Sequence, residues 1–457
     1  MKKYRFLAFL FVIFISITTV PTAHAQTEVF DTEVKAALLI ELNADRVLYS
    51  LDADEQNYPA SLTKIMTCLL AIENGNLSDT VTVSASAMEN LDAAGSTAGL
   101  MTGEELTLLD LLYCVMISSA NEACNVVAEH IAGSIDAFVD MMNARAQELG
   151  CTGTHFANTH GLHDEAHYST AHDLSLIVRE ALKHDLFVTI TNTAFYELPA
   201  TNLSAERKLY TTNKLITEGA SNIYYYAKAS GVKTGFTTPA GRCLISTADN
   251  GNLHLLAIVM GAETVWVEDQ GIYDQRNFPE CINLFEYGFN NFKIETVLTK
   301  LYPVAEIPVN MAAGSDTVAL APAQEIKSLV PADFDKNQLE LSTSLYYPSV
   351  DAPVEASTPL GTVTVSLEGE VLGTTELAAI TSIARSEITH QANETKNYVK
   401  HNWWKWILGI LLTSILILAG LVIYFKVRRR QERRRRIAER RRALEAQQRR
   451  FHNGEFR

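Results

Sequence analysis

The run from Trp406 to Phe425 holds twenty residues and no charged side chain, and it constrains the chain more than any other feature. As a helix it rises about 1.5 Å per residue, enough to cross the ~30 Å hydrocarbon core of a bilayer. Trp403, Trp404, Trp406 and Tyr424 stand at its ends, where amphipathic rings favour the headgroup level. Arg428, Arg429 and Arg430 follow at once. The positive-inside bias then puts the tail, 426–457, in the cytoplasm and the chain before the span outside, as a single-pass membrane protein. The N-terminus agrees. Lys2, Lys3 and Arg5 precede an apolar run from Phe6 to Val20, and Ala23-His24-Ala25 offers a small-residue cleavage site. Residues 1–25 read as a secretory signal peptide.

Charge is divided along the chain. Residues 428–457 carry thirteen Arg against four Glu, a net +9, so the remainder bears −24 of the formal −15 total. An acidic body with a short basic tail lacks the basic face of a nucleic-acid binder. The tail reads as a stop-transfer signal with anionic-lipid contact. Six cysteines, Cys68, Cys114, Cys124, Cys151, Cys243 and Cys281, show no C-x-x-C spacing; most read as buried small hydrophobes.

Between the two apolar runs the periodicity changes twice, from strand to helix and back. Lys35–Leu42 and Arg46–Ser50 flank a polar turn and read as a β-hairpin. Helical spacing follows over Ser61–Ile72, Thr107–Ile117, Asn121–Ile131 and from Thr170 to about Lys183; Thr107-x-x-Asp110 and Thr170-x-x-Asp173 supply start signals. Strands return at Gly231–Phe236, Arg242–Ala248 and Leu253–Met260, the last two joined at Asn250-Gly251. Strands at both ends with helices between predict an α+β domain with an antiparallel sheet over 26–292. Short strand-like runs punctuated by Pro, Gly, Ser and Asp predict a small all-β domain over 293–385, with a hairpin at Glu368-Gly369. Residues 386–405 read as a polar stalk leading into the span at 406–425.

Three short motifs carry chemistry: Ser61-Leu62-Thr63-Lys64, Ser119-Ala120-Asn121 and Lys233-Thr234-Gly235. On a helix, positions i and i+3 share a face, so Lys64 falls beside the Ser61 hydroxyl. Ser230 and Lys233 repeat the spacing on a strand, where they face opposite sides. A serine hydroxyl needs an adjacent base, and a lysine serves if desolvation and nearby cations lower its pKa. Ser119 would relay protons and Asn121 would orient substrate. Lys233 and Thr234, on a strand edge, would meet a substrate carboxylate, while Gly235 permits close backbone approach. Alone, each motif also reads as a helix cap or a strand end. Together, in this order and on these elements, they read as a site.

The set resembles that of the penicillin-binding proteins and serine β-lactamases. Pro59–Thr67, Phe156–Leu162, His167–Asp173, Thr212–Leu215 and Gly231–Thr237 are similar to stretches of the low-molecular-mass D-Ala-D-Ala carboxypeptidases. The similarity is dense over Glu33–Glu263 and looser over Thr296–Leu377, which resembles the family's C-terminal β-domain. The resemblance implies a transpeptidase-like fold, no cofactor, and peptidoglycan stem peptides and β-lactams as ligands. It implies Ser61 as nucleophile, Lys64 as its base, and the N–H groups of Ser61 and Phe236 as the oxyanion hole. Ala120 stands where the family often has Gly, and a spanning segment stands where many relatives carry an amphipathic helix.

Three rivals remain at this stage. A β-lactamase shares the scaffold, yet no counterpart of the deacylating glutamate stands out between Asn121 and Lys233. A metallopeptidase is suggested by His155, His160, His163, His167 and His172, but Asp164 follows His163 where H-E-x-x-H needs Glu, and the segment reads as loop. A non-catalytic wall-binding scaffold would tolerate decay at a catalytic position, and none has decayed.

Overall fold

The computed structural model describes residues 33–452 apart from 90, 93, 94, 269 and 270; the signal peptide expected at 1–25 lies outside the described residues. Strand β1 (Ala36–Glu41) is buried at all six positions, which is why it reads as an apolar run instead of an alternation. Its even residues, Leu38 and Ile40, join one hydrophobic cluster and its odd residues, Ala37 and Leu39, the other. The period of two thus feeds a core on each face of one sheet.

That sheet is antiparallel and five-stranded. β1 pairs with β2 (Arg46–Leu51) as the expected hairpin. The distant segments β3 (Ala229–Thr237), β4 (Gly241–Asp249) and β5 (His254–Ala262) complete the spatial order β2-β1-β5-β4-β3. β3 is therefore an edge strand. Beside it, the Asn213 side-chain amide donates to the Gly231 carbonyl.

Between the two strand groups run α1 (Lys64–Asn74), α2 (Leu108–Met116), α3 (Asn121–Ala132), α4 (Ile135–Glu148) and α5 (Ala171–Ala181). Both sequence start signals hold: Thr107 Oγ1 accepts from Asp110 N at 3.1 Å and Thr170 Oγ1 from Asp173 N at 2.9 Å. Each cap contributes about 1 kcal/mol. α3 ends at Gly133, whose φ of +82° closes the helix in the left-handed region. The opposite face of the sheet is covered by α6 (Asn277–Asn291), which buries Phe278, Leu284 and Phe285. Burying each such side chain stabilises by roughly 1.5–3 kcal/mol.

The first compact unit runs to Val297 and takes back residues 327–338 from the later β-rich stretch. Ala332 N donates to Asn291 O at 2.8 Å there, and Leu329 joins the α6-side core. The second unit holds a six-stranded sheet made of β6 (Ala305–Asn310), β7 (Thr317–Pro322), β8 (Leu339–Leu345), β9 (Val350–Asp351), β10 (Pro359–Leu367) and β11 (Glu370–Ala379). Their spatial order is β8-β10-β11-β7-β6-β9. The polar segment expected as a stalk is helical: α7 (Glu387–His452) runs unbroken through it, the apolar run and the arginines.

Candidate active site

Ser61 sits on a 3-10 turn, Ala60–Thr63, and the α-helix begins only at Lys64. In a 3-10 turn, positions i and i+3 eclipse, so the predicted pairing survives the different helix type. Lys64 Nζ lies 2.9 Å from Ser61 Oγ. It also meets Asn121 Oδ1 at 2.8 Å and the His160 carbonyl at 2.6 Å. Ser61 caps neither helix, since the N-caps are Pro59 and Thr63 and neither uses its side chain.

The turn is held from outside by the loop that follows α4. An added Cβ on Gly161 would stand 1.8 Å from the Ala60 carbonyl oxygen, at a φ of +87°, so only glycine fits. Thr67 Oγ1 donates to Thr159 O and Thr159 Oγ1 to Asn125 Oδ1. Ala157 N donates to His167 Nδ1, which leaves Nε2 to carry the proton toward Thr63 Oγ1 at 2.7 Å; that hydroxyl in turn donates to Ala60 O. Burial, with Lys64 among the lesser causes, pushes His160 down to about 3, and burial likewise holds His167 at about 4. His155 Nδ1 meets the Ala166 carbonyl, His172 meets Asp54, and His163 packs edge-on against Tyr58. Segment 161–165 is irregular. These histidines hold the loop together, and among the described residues none joins a three-ligand cluster.

β3 supplies the other wall. Gly235 lies so close to the turn that an added Cβ would meet Pro59 O at 3.0 Å and Ser61 N at 3.1 Å. This contact sets the β3 backbone beside the Ser61 N–H. Thr234 Oγ1 is 2.5 Å from Thr212 Oγ1, and Phe236 is more than half exposed. Lys233 is buried, and its Nζ donates to the Thr234 carbonyl at 3.0 Å. Burial draws Lys233 down to about 7, helped by repulsion from Lys64; burial draws Lys64 to about 8, opposed by Cys124 and Glu122. Ser119 stands at φ +60° and lines the cleft, without a hydrogen bond to either lysine among the described residues. It caps nothing: the α3 N-cap is Ala120. The cleft between turn and strand encloses about 770 Å³.

Comparison with known proteins agrees with this geometry. The family described as D-alanyl-D-alanine carboxypeptidase matches residues 21–264. The chain belongs to that family. The family described as the C-terminal domain of penicillin-binding protein 5 matches residues 292–385. D-alanyl-D-alanine carboxypeptidase DacF of Bacillus subtilis is 32% identical over 385 residues, covering 82% of this chain and 93% of that one. DacC of Escherichia coli is 29% identical, covering 77% and 85%. Among solved structures, penicillin-binding protein 5 of Haemophilus influenzae aligns with a TM-score of 0.57 at 26% identity, covering 78% of this chain and 99% of that one. Penicillin-binding protein 3 of Streptococcus pneumoniae, described as a peptidoglycan synthesis regulatory factor, gives 0.59 at 25%, covering 78% and 100%.

Parts of the carboxypeptidase site escape motif reading. The His160 carbonyl is a backbone group and leaves no mark in the residue type. Asn121, expected to orient substrate, lines the cleft, and its side-chain oxygen also meets Lys64, a contact the motif does not announce. Lys214 and Arg242 also line the cleft; Lys214 falls within the resembling stretch Thr212–Leu215 but was given no role, and Arg242 lies outside every such stretch.

Proposed function

We propose that this carboxypeptidase removes the terminal D-alanine of peptidoglycan stem peptides through an acyl-enzyme on Ser61. The observation that carries the reading is the set of partners around Lys64. A neutral amine has two N–H donors and one lone pair. The His160 carbonyl can only accept, and Asn121 presents its oxygen, so the two donors are used there. The lone pair is left for the Ser61 hydroxyl at 2.9 Å. With burial holding Lys64 at about 8, roughly a tenth of the enzyme carries this neutral amine at pH 7.

Ser61 Oγ attacks the penultimate carbonyl as its proton passes to Lys64 Nζ. The N–H groups of Ser61 and Phe236 receive the oxyanion, each worth about 3 kcal/mol on the barrier. Ser119, lining the same cleft, relays the proton to the departing amine of D-alanine. Thr234 binds the terminal carboxylate, with Lys233 beneath it as a buried charge. An arriving carboxylate favours the protonated form of Lys233, and the restored cation then helps keep Lys64 neutral. Water hydrolyses the ester, whereas a β-lactam leaves the acyl-enzyme stalled.

The apolar stretch of α7 is long enough to cross a membrane. We place it as a single span with the arginines inside and the catalytic unit on the outer face, where the wall substrate lies. Nucleic acid is not a partner of the acidic body.

The test is to incubate full-length protein in detergent with benzylpenicillin and measure intact mass with peptide mapping. A stable adduct on Ser61 that Ser61→Ala lacks, with D-alanine released from a D-Ala-D-Ala peptide, supports the reading. Drug consumed without adduct indicates a β-lactamase. Drug intact without adduct indicates a scaffold.

A further inference from the structure

The cleft holds more positive charge than the proposed reaction uses. Along β3 the side chains alternate, so Lys233 and Gly235 turn inward against the catalytic turn while Thr234 and Phe236 line the open part of the same cleft. Arg242 is the register partner of Phe236, and its guanidinium carbon lies 4.7 Å from that ring's centroid. Arg242 Nε donates to Thr264 Oγ1 at 2.7 Å. This bond fixes the plane of the group, and the two terminal nitrogens have no partner among the described residues. Lys214 lines the same region, with Nζ 5.3 Å from the Tyr224 ring centroid and no acidic partner among the described residues. Burial lowers the Lys214 pKa and Arg242 lowers it further, so the two cations feel each other. Behind them stands Asn277, which is 2% exposed, lines the cleft, and has a side-chain oxygen without a partner. Asn277 opens α6, whose N-terminus carries no side-chain cap.

Two neighbouring cations, partly desolvated and unpaired, repel each other, and an anion between them relieves that repulsion. The free edge of a guanidinium fits a carboxylate in two parallel hydrogen bonds. Position selects which carboxylate. With the terminal carboxylate at Thr234 and the scissile carbonyl at Ser61, an extended peptide beside β3 advances about 3.3 Å per residue. The residue preceding D-Ala-D-Ala then comes level with Phe236 and Arg242. We propose that Lys214 and Arg242 form a subsite for a second carboxylate, carried by the side chain of that preceding residue. The proposal rests on the carboxypeptidase reading and makes the two cations specificity determinants for it.

The test compares N-acetyl-L-2-aminoadipyl-D-Ala-D-Ala with its side-chain amide on the full-length enzyme at low salt. Turnover of the amide peptide checks the carboxypeptidase reading independently. The subsite predicts kcat/KM higher for the acid by about tenfold or more, shrinking with salt. Arg242→Gln and Lys214→Gln should each reduce this acid-to-amide ratio several-fold. Lys214 opens a short 3-10 turn outside the sheet, so its variant carries the test if Arg242→Gln melts early. A wild-type ratio near one, or substitutions that lower both peptides equally, would overturn the proposal; the second result would assign the pair to the terminal carboxylate.

Discussion

Gly235→Ala is the sharpest perturbation of the site, because it adds one methyl group and removes nothing. Three atoms stand in its way: Pro59 O at 3.0 Å, Ser61 N at 3.1 Å and Ala60 Cβ at 3.2 Å. Two belong to the backbone of the catalytic turn, so relief requires the turn and β3 to part by a few tenths of an ångström. Overpacking of this kind costs about 1–3 kcal/mol. In a unit of this size each kcal/mol lowers Tm by roughly 2–4 °C. The catalytic loss should be disproportionate. A 1 Å error in reacting geometry costs about a hundredfold, so a shift of a few tenths, shared by both oxyanion donors, should slow acylation about tenfold. The assay is the second-order rate of benzylpenicillin acylation by intact mass, beside a thermal melt. Gly219→Ala is the control, since a Cβ there meets open space. Acylation within twofold of wild type at an unchanged Tm would refute the idea that this contact sets the oxyanion hole.

Other outcomes follow from the same geometry. Acylation should trace a bell against pH, rising as the buried lysine pair loses its first proton near 7 and falling as it loses the second above about 8; a profile flat from pH 6 to 9 would exclude Lys64 as base. Unfolded histidines take up protons below about 6.5, while native His160 and His167 resist until about 3 and about 4. The native state therefore binds fewer protons across that window, and stability should fall with acidification by up to about 2.7 kcal/mol per pH unit. Denaturant melts of wild type and His167→Gln check this, the variant showing the shallower slope. All six cysteines are buried and unpaired, and burial pushes the thiols up, Cys124 and Cys243 to about 11. Native protein should resist thiol reagents until denaturant is added, and rapid labelling of the native fold would contradict the packing.

The residues of the proposed site were legible because each depends on local order: a three-residue step on a helical turn, a helix start, a strand edge. Thr107 and Thr170 announced their helices for the same reason, through a side chain bonding its own neighbourhood. What escaped depends on distance along the chain. Nothing near β1 signals that its partner is β5, more than two hundred residues on. Arg242 acquires its role only when Phe236 falls opposite it in register. Residues 327–338 resemble the strands around them in composition, yet return to the first unit. The segment before the span is polar and aperiodic and so reads as a stalk, but helix propagates cheaply once the apolar turns beside it have formed.

The sheet's open side acts as a length gauge. An exposed strand edge pairs with any extended chain, including another copy of itself. Here Asn213 already occupies the Gly231 carbonyl, and beyond Thr237 the backbone turns through Pro239, which has no N–H to offer. Between these two limits, Thr234 to Thr237 at the cleft offers about 13 Å at 3.3 Å per residue. That matches the tail of a short peptide and falls below the five or six residues of an ordinary strand. On its β3 side the sheet presents an edge large enough to grip a short peptide and too short to start an aggregate.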